Sequence, residues 1–206
     1  MDKEVGEKMI KVCQSLIKML ELSFQGFRKY TEESLREVGK VKNEIRKNSS
    51  ELAQFLILMG SPYEKGREWA KPYLSMASSL DRISYNIEGI LDRLKSKVQN
   101  QILFSDRAVK EINDVFQEAM DLLERLPDLI LTQNKLLAQH IGEQVRSVFK
   151  IADGYSEEHE ERLIQGVCTP KSSPIYLGIL ESLKGIIVHT LEVSGKIVSL
   201  SSRSKS

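Results

Sequence analysis

The sequence predicts an all-α protein: two tandem three-helix bundles, six long helices in all, related by a pseudo-two-fold internal repeat. Three observations predict it. Apolar residues recur in steps of three and four along nearly the whole chain, the spacing of one helix face, and no stretch alternates with period two long enough to propose a strand. Breaks bearing glycine and proline separate the periodic stretches. Sliding the chain by 103 residues superimposes the apolar registers of three successive segments.

The first stripe is Val5, Met9, Val12, Leu16 and Met19. "KYTEESL" opens the second segment, with Thr31 as an expected N-cap and Ser34 among acidic neighbours in the first turn. Its stripe runs Val38, Val41, Ile45, Leu52, Met59 and ends at the turn "MGSPYEKG". The third has the longest run: Tyr73, Met76, Leu80, Ile83, Ile87, Ile90, Leu94. Then come Ala108, Ile112, Val115, Ala119, Leu122, and Ile141, Val145, Val148, Ile151. "GVCTPKSSP" breaks the chain again, and Pro174 after Ser173 suits a first helical position. The last stripe is Tyr176, Ile179, Leu183, Ile186, Thr190, Val193, Ile197, Leu200. Pro72 and Pro127 lie inside periodic patterns, so each is expected to start a helix or kink one. The tail "SSRSKS" is expected to fray.

In the repeat, Tyr73-Leu74 falls on Tyr176-Leu177, Ser79-Leu80 on Ser182-Leu183, and Ile83 on Ile186. Leu20-Glu21 falls on Leu123-Glu124 and Gly39 on Gly142. Two three-helix units follow, 3–99 and 105–202. The last helix also carries Leu177, Leu180, Ile187, Leu191 and Val198 beside its core stripe. So wide an apolar arc is buried centrally or covered by a partner, which places there either the meeting of the two bundles or another subunit.

Lys and Arg number 30 against 29 Asp and Glu, a net charge of +1, so no global field draws the chain to nucleic acid. Cys13 and Cys168 form no CxxC pair, and three histidines are a poor stock for zinc or iron–sulfur ligation. Two distant cysteines fit a reducing, cytoplasmic compartment. "MDKEVGEKMIKVCQ" is charged too often for a signal peptide, and the longest fully apolar run, "FLILM", falls far short of the ~20 residues of a spanning helix. A soluble protein is expected.

The stretches "SSLDRISYNIEGI" (78–90) and "HEERLIQGVCTPKSSPIYLGILESLKGIIVHTLEVSGKI" (159–197) resemble the PhoU family of phosphate-transport regulators. Related domains are appended to sodium/phosphate cotransporters. The family's final helix in each repeat carries a pattern close to L-E-R-I-G-D-H-A. Here Leu80, Asp81, Arg82 and Ile83 match it, with Ser84 in the small position, and in the second copy Leu183, Ile186 and His189 do. "RLIQGVCTP" is similar to the family's connection before that helix. The resemblance implies two three-helix bundles side by side in a non-enzymatic regulatory adaptor. It would contact a phosphate transporter or sensor kinase at the inner membrane face, with peripheral membrane association and a homodimer as further expectations and no nucleic acid as partner.

Family members that hold multinuclear metal clusters do so with an E-x-x-x-D acid pair assembled from both repeats. At those four positions this chain has Asp81, Tyr85, Lys184 and Val188. Metals of this kind need several carboxylate, imidazole or thiolate ligands, so no family cluster and no cofactor are expected. Asp81 reads as the remnant of a metal site, paired locally with a neighbour of Arg82 or a lysine of the second helix. Asp81, Glu88 and Asp92 continue a polar stripe, read as a solvated face. His140, His159 and His189 read as satisfied interhelical residues, Trp69 as a packing anchor, and "KVKNEIRK" (40–47) as solvated surface, with acidic lipid headgroups or an acidic partner as the alternative contact. There is no glycine-rich phosphate loop and no nucleophile–histidine–carboxylate set with local context. The rival readings are a metal-binding member using unpaired carboxylates such as Glu44 or Asp114, an enzyme on a helical bundle, and the cytosolic domain of a larger transporter.

Overall fold

The computed structural model describes residues 1–29, 32–60 and 64–203, side chains at 32–35, 64–65 and 202–203 excepted. The expected Thr31 cap, the Ser34 side chain, residues 61–63 of the second turn and the end of the tail lie outside what is described. Within them the chain is a helical bundle of six helices and no strand: α1 (Lys3–Arg28), α2 (Glu32–Gly60), α3 (Glu64–Gln99), α4 (Asp106–Thr132), α5 (Lys135–Ile164) and α6 (Ser173–Arg203).

Each described start has a local cause. Asp2 caps α1 by accepting from the Val5 amide, and Glu4 follows in the first turn, where the helix dipole favours an anion. Ser105 caps α4 by accepting from Ala108, and Asn134 caps α5 by accepting from Leu136 and Leu137. Gln133, at φ 51°, ends α4 in the left-handed conformation and lets α5 begin two residues later. Gly166, at φ 71°, serves the connection from α5 to α6. Pro72 and Pro127 start no helix; both lie inside one, α3 and α4 respectively.

The stripes become the core almost residue for residue. Val5, Met9, Leu16, Leu80, Ile83, Ile87, Ile112, Leu183, Ile186 and Val193 are fully buried. Two assignments fail at helix ends and mid-helix. Met59 is half exposed, because Leu56 takes the core position after Leu52, and Ile57, Leu58 and Met59 fall outside it. Ile151 is also exposed; after Val148 a step of four to Ala152, rather than of three, keeps α5 facing inward.

Packing pairs α1 with α2 and α3, and α2 with α3; likewise α4 pairs with α5 and α6, and α5 with α6. Between these groups α1 packs on α4, and α3 on α6 in the most extensive contact of the fold. α6 thus touches α3, α4 and α5, which accounts for its apolar girth. It is the one described helix long and apolar enough to cross a membrane by composition, and 61% of its most apolar window is buried inside the fold. The covering partner expected for it is the chain's own helices.

Truncation of either central leucine tests the register. Leu80→Ala and Leu183→Ala should each destabilise by roughly 2–5 kcal/mol in denaturant unfolding, since both side chains are wholly buried. Losses below about 0.5 kcal/mol at both would mean that neither packs in the core.

Candidate functional site

The four motif positions sit on the two helices of the α3–α6 contact, but they do not converge. Asp81 and Tyr85 line a groove between α2 and α3, with Ile45, Arg46, Ser49, Ser84 and Glu88. Val188 lines a separate groove between α5 and α6, with Phe149, Asp153 and Leu191 among its walls. Lys184 turns to the same side: its ammonium lies 2.8 Å from Asp153 on α5 and within bonding distance of Glu181. Lys184 is nearly buried, and although burial opposes its charge, the hydrogen bonds to Asp153 and Glu181 outweigh that and raise its pKa. It therefore does not face Asp81.

Asp81 itself is exposed and makes no ion pair within 4 Å among the described residues, contrary to the local pairing expected for it. The lysine of α2 goes elsewhere, with Lys42 Nζ 2.7 Å from Glu88. Tyr85 is 77% exposed. One exposed carboxylate, a solvated phenol and a Glu88 already paired with Lys42 are not a cage for a metal, because each missing ligand leaves a position to water. Among the described residues no group of three or more His, Cys, Asp or Glu is placed to hold an ion. Of the alternative carboxylates, Glu44 accepts from Ser15 and Asp114 accepts from Tyr155, each within its own half of the chain. The residues present do not fit the family cluster.

A third groove opens along the α3–α6 contact itself, lined by Ser75, Ser78, Ser79, Arg82, Glu192, Lys196 and Ser199. Glu192 accepts from Ser79 at 2.8 Å and meets His189 Nδ1 at 2.9 Å. The bond to His189 is the chief reason its carboxyl is held below the usual glutamate range. His189 is thus engaged on its own helix, one turn from its partner, and His140 is exposed. Of the "KVKNEIRK" charges, Lys40 pairs with Glu37 and Lys42 with Glu88, so that face is laced by ion pairs. Trp69 packs against the core with its ring 5.0 Å from Tyr73, as an anchor would.

The strongest polar constellation is one that the sequence reading passed over. Glu111 on α4 is buried, its Oε1 accepting from Arg162 Nη1 and from Arg107 Nε, each at 3.0 Å. Its Oε2 accepts from Arg162 Nη2 at 2.8 Å and from the Tyr176 hydroxyl. Burial, then the neighbouring carboxylate, pushes the Tyr176 phenol well above its ordinary value, so it stays protonated and donating. Three helices are clamped by one carboxylate. A signal existed: Glu111 stands beside Ile112 in the apolar stripe, and Arg162 follows it on α5, but helical periodicity does not say which flanking charges are turned inward.

No family model, no curated protein and no solved structure matches this chain.

Two measurements test these sites. Protein purified without chelator should carry substoichiometric iron, zinc or nickel by elemental analysis, and adding chelator should leave Tm unchanged; stoichiometric metal that survives dialysis and vanishes in Asp81→Ala would restore the cluster. Arg162→Met, which strands the buried Glu111 carboxylate, should destabilise by about 3–5 kcal/mol, and adding Glu111→Leu should recover much of that loss. A double variant no more stable than the single one would mean that the clamp is not a coupled unit.

Proposed function

We propose that the chain is a PhoU-like regulatory adaptor of phosphate uptake or phosphate signalling, non-enzymatic, and acting through protein contacts at the cytoplasmic membrane face. In this reading the six helices are two three-helix units, 3–99 and 105–202, related by a pseudo-two-fold repeat. What carries it is the contact pattern: the pairings among α1, α2 and α3 recur among α4, α5 and α6, and the two joining contacts, α1 with α4 and α3 with α6, link equivalent helices. The repeat is one of register more than of surroundings. A methyl group added at Gly39 would meet open space, whereas one added at its counterpart Gly142 would lie 3.8 Å from Leu191.

An adaptor needs a surface, and α6 does not supply it, being covered by its own chain. The exposed apolar residues Ile57, Leu58, Met59, Leu131 and Leu136 do better. They gather at one end of the bundle. The Asp2 amide donates to the Tyr73 hydroxyl, Gly6 faces Ile130, and Gly60 faces Ala70, which brings the start of α1, the end of α2, the early turns of α3 and the end of α4 together. A transporter or sensor kinase contacted through this end would bury side chains that the chain itself leaves in water. Homodimerisation through the same end is the competing use of that surface.

In its host, loss of this chain should change phosphate uptake or phosphate-responsive gene expression. A copy carrying Leu58→Glu and Leu131→Glu, shown to be folded by circular dichroism, should fail to restore the normal response. Uptake and expression that are the same with and without the chain, in both phosphate-poor and phosphate-rich medium, would dismiss the adaptor reading.

A further inference from the structure

Helix α5 carries a line of charges without partners among the described residues. Arg146, Lys150 and Glu157 line the groove between α5 and α6, and Glu161 stands one turn beyond. All four are exposed, and none makes an ion pair within 4 Å among the described residues. At about 100° per residue they fall within an arc of roughly 60°, so they share one face, the basic pair first and the acidic pair second. Beside that line the groove is apolar. Phe149 of α5 is half-buried there, and α6 contributes only Val188 and Leu191, both half-buried. At about 650 Å³ the groove has room for the side chains of a helix laid along it.

We propose that this face is where two copies of the chain meet, α5 against α5 in antiparallel order about a two-fold axis. The charges set the register. When Lys150 lies opposite Glu157 of the second copy, Arg146 falls opposite that copy's Glu161, because both pairs are centred on one point, between Asp153 and Gly154. Two-fold symmetry repeats each contact, so every unpaired charge of the line meets one of opposite sign. Gly154 stands at the centre, where an added methyl group would meet open space, so the two backbones can approach there. Asp153, which faces its own copy across the axis, is neutralised by Lys184 at 2.8 Å. The neighbouring register, with Lys150 on Asp153 and Arg146 on Glu157, is disfavoured for the same reason: Lys184 already holds Asp153. Exposed ion pairs fix register and add little affinity, so the apolar walls supply most of the attraction. A foreign helix would need this order of charge at this spacing, and the chain's own α5 has it. The apolar ends of the two copies then point in opposite directions and both stay exposed.

Sedimentation velocity of the full chain over a concentration series reads the association, and the unaltered protein should dimerise. Lys150→Glu sets like charges against Glu157 twice in each dimer, and Glu157→Lys does the same against Lys150, so each should weaken association about tenfold. Both positions are exposed, so both variants should keep the helical circular dichroism of the parent. Mixed in equal amounts, the two variants should regain the parent's association as a one-to-one heterodimer, since every opposed pair is then of opposite sign. Both changes in one chain should regain it as a homodimer. Leu58→Glu should leave the dimer unchanged. Four results each overturn the proposal: a monomer at about 0.5 mM; a dimer weakened by neither reversal; a mixture that associates no better than its components; or a dimer lost in Leu58→Glu, which puts the contact at the end of the bundle.

Discussion

The closest constraint in the molecule is the approach of α3 to α6. A methyl group added at Gly178 would lie 1.8 Å from Arg93 Nε, and one at Gly185 would lie 2.4 Å from Asn86 Oδ1. Those two positions therefore accept a side chain only if Arg93 and Asn86 swing out of the contact. Arg93, lying over Gly178, donates to the Gly89 carbonyl of its own helix at 2.8 Å, which holds its side chain along α3. Buried Ser79, Ser84 and Ser182 add small side chains on both helices. Because α6 is held this tightly on one side, its remaining apolar girth can be spent only on α4 and α5. The bundle is centred on it.

That central position decides where charge can go. The four motif positions lie on the flanks of the α3–α6 contact: Asp81 and Tyr85 toward α2, Lys184 and Val188 toward α5. A site needing acids from both helices would have to lie across the contact, and the side chains on this sequence point away from one another. Lys184 is the clearest case. Nearly buried, it is held charged by Asp153 and Glu181, and its ammonium belongs to the packing of α5 on α6.

Most of the fold was legible because helical periodicity reports burial directly. Leu80, Ile83, Ile87, Leu183 and Ile186 were identified from spacing alone and are wholly buried. Spacing failed where two residues compete for one face. Ile151 and Ala152 both follow Val148 at an allowed step, and only the neighbouring helix selects the smaller. It failed again at Met59, where the core ends before the helix does. The polar chemistry was less legible for a different reason. Glu111, Arg162 and Tyr176 are separated by dozens of residues, and nothing in a one-dimensional pattern tells an inward charge from an outward one.

Burying the Glu111–Arg162 pair is unfavourable in itself, since desolvation of two ions is returned only when nearly every oxygen and nitrogen finds a partner. Here both carboxylate oxygens accept twice, from Arg107, Arg162 and Tyr176. Such a group gives less stability than an apolar substitute would, but it demands one arrangement of α4, α5 and α6, because any slip of a helix leaves a charge unpaired in the interior. His159 stacks on Tyr176 at 4.3 Å between ring centres, so the clamp also reaches that ring. The same carboxylate that registers the three helices thereby holds the His159 ring in place, and two buried nitrogens beside it, His159 Nδ1 and the Nε of Arg162 itself, have no hydrogen-bond partner.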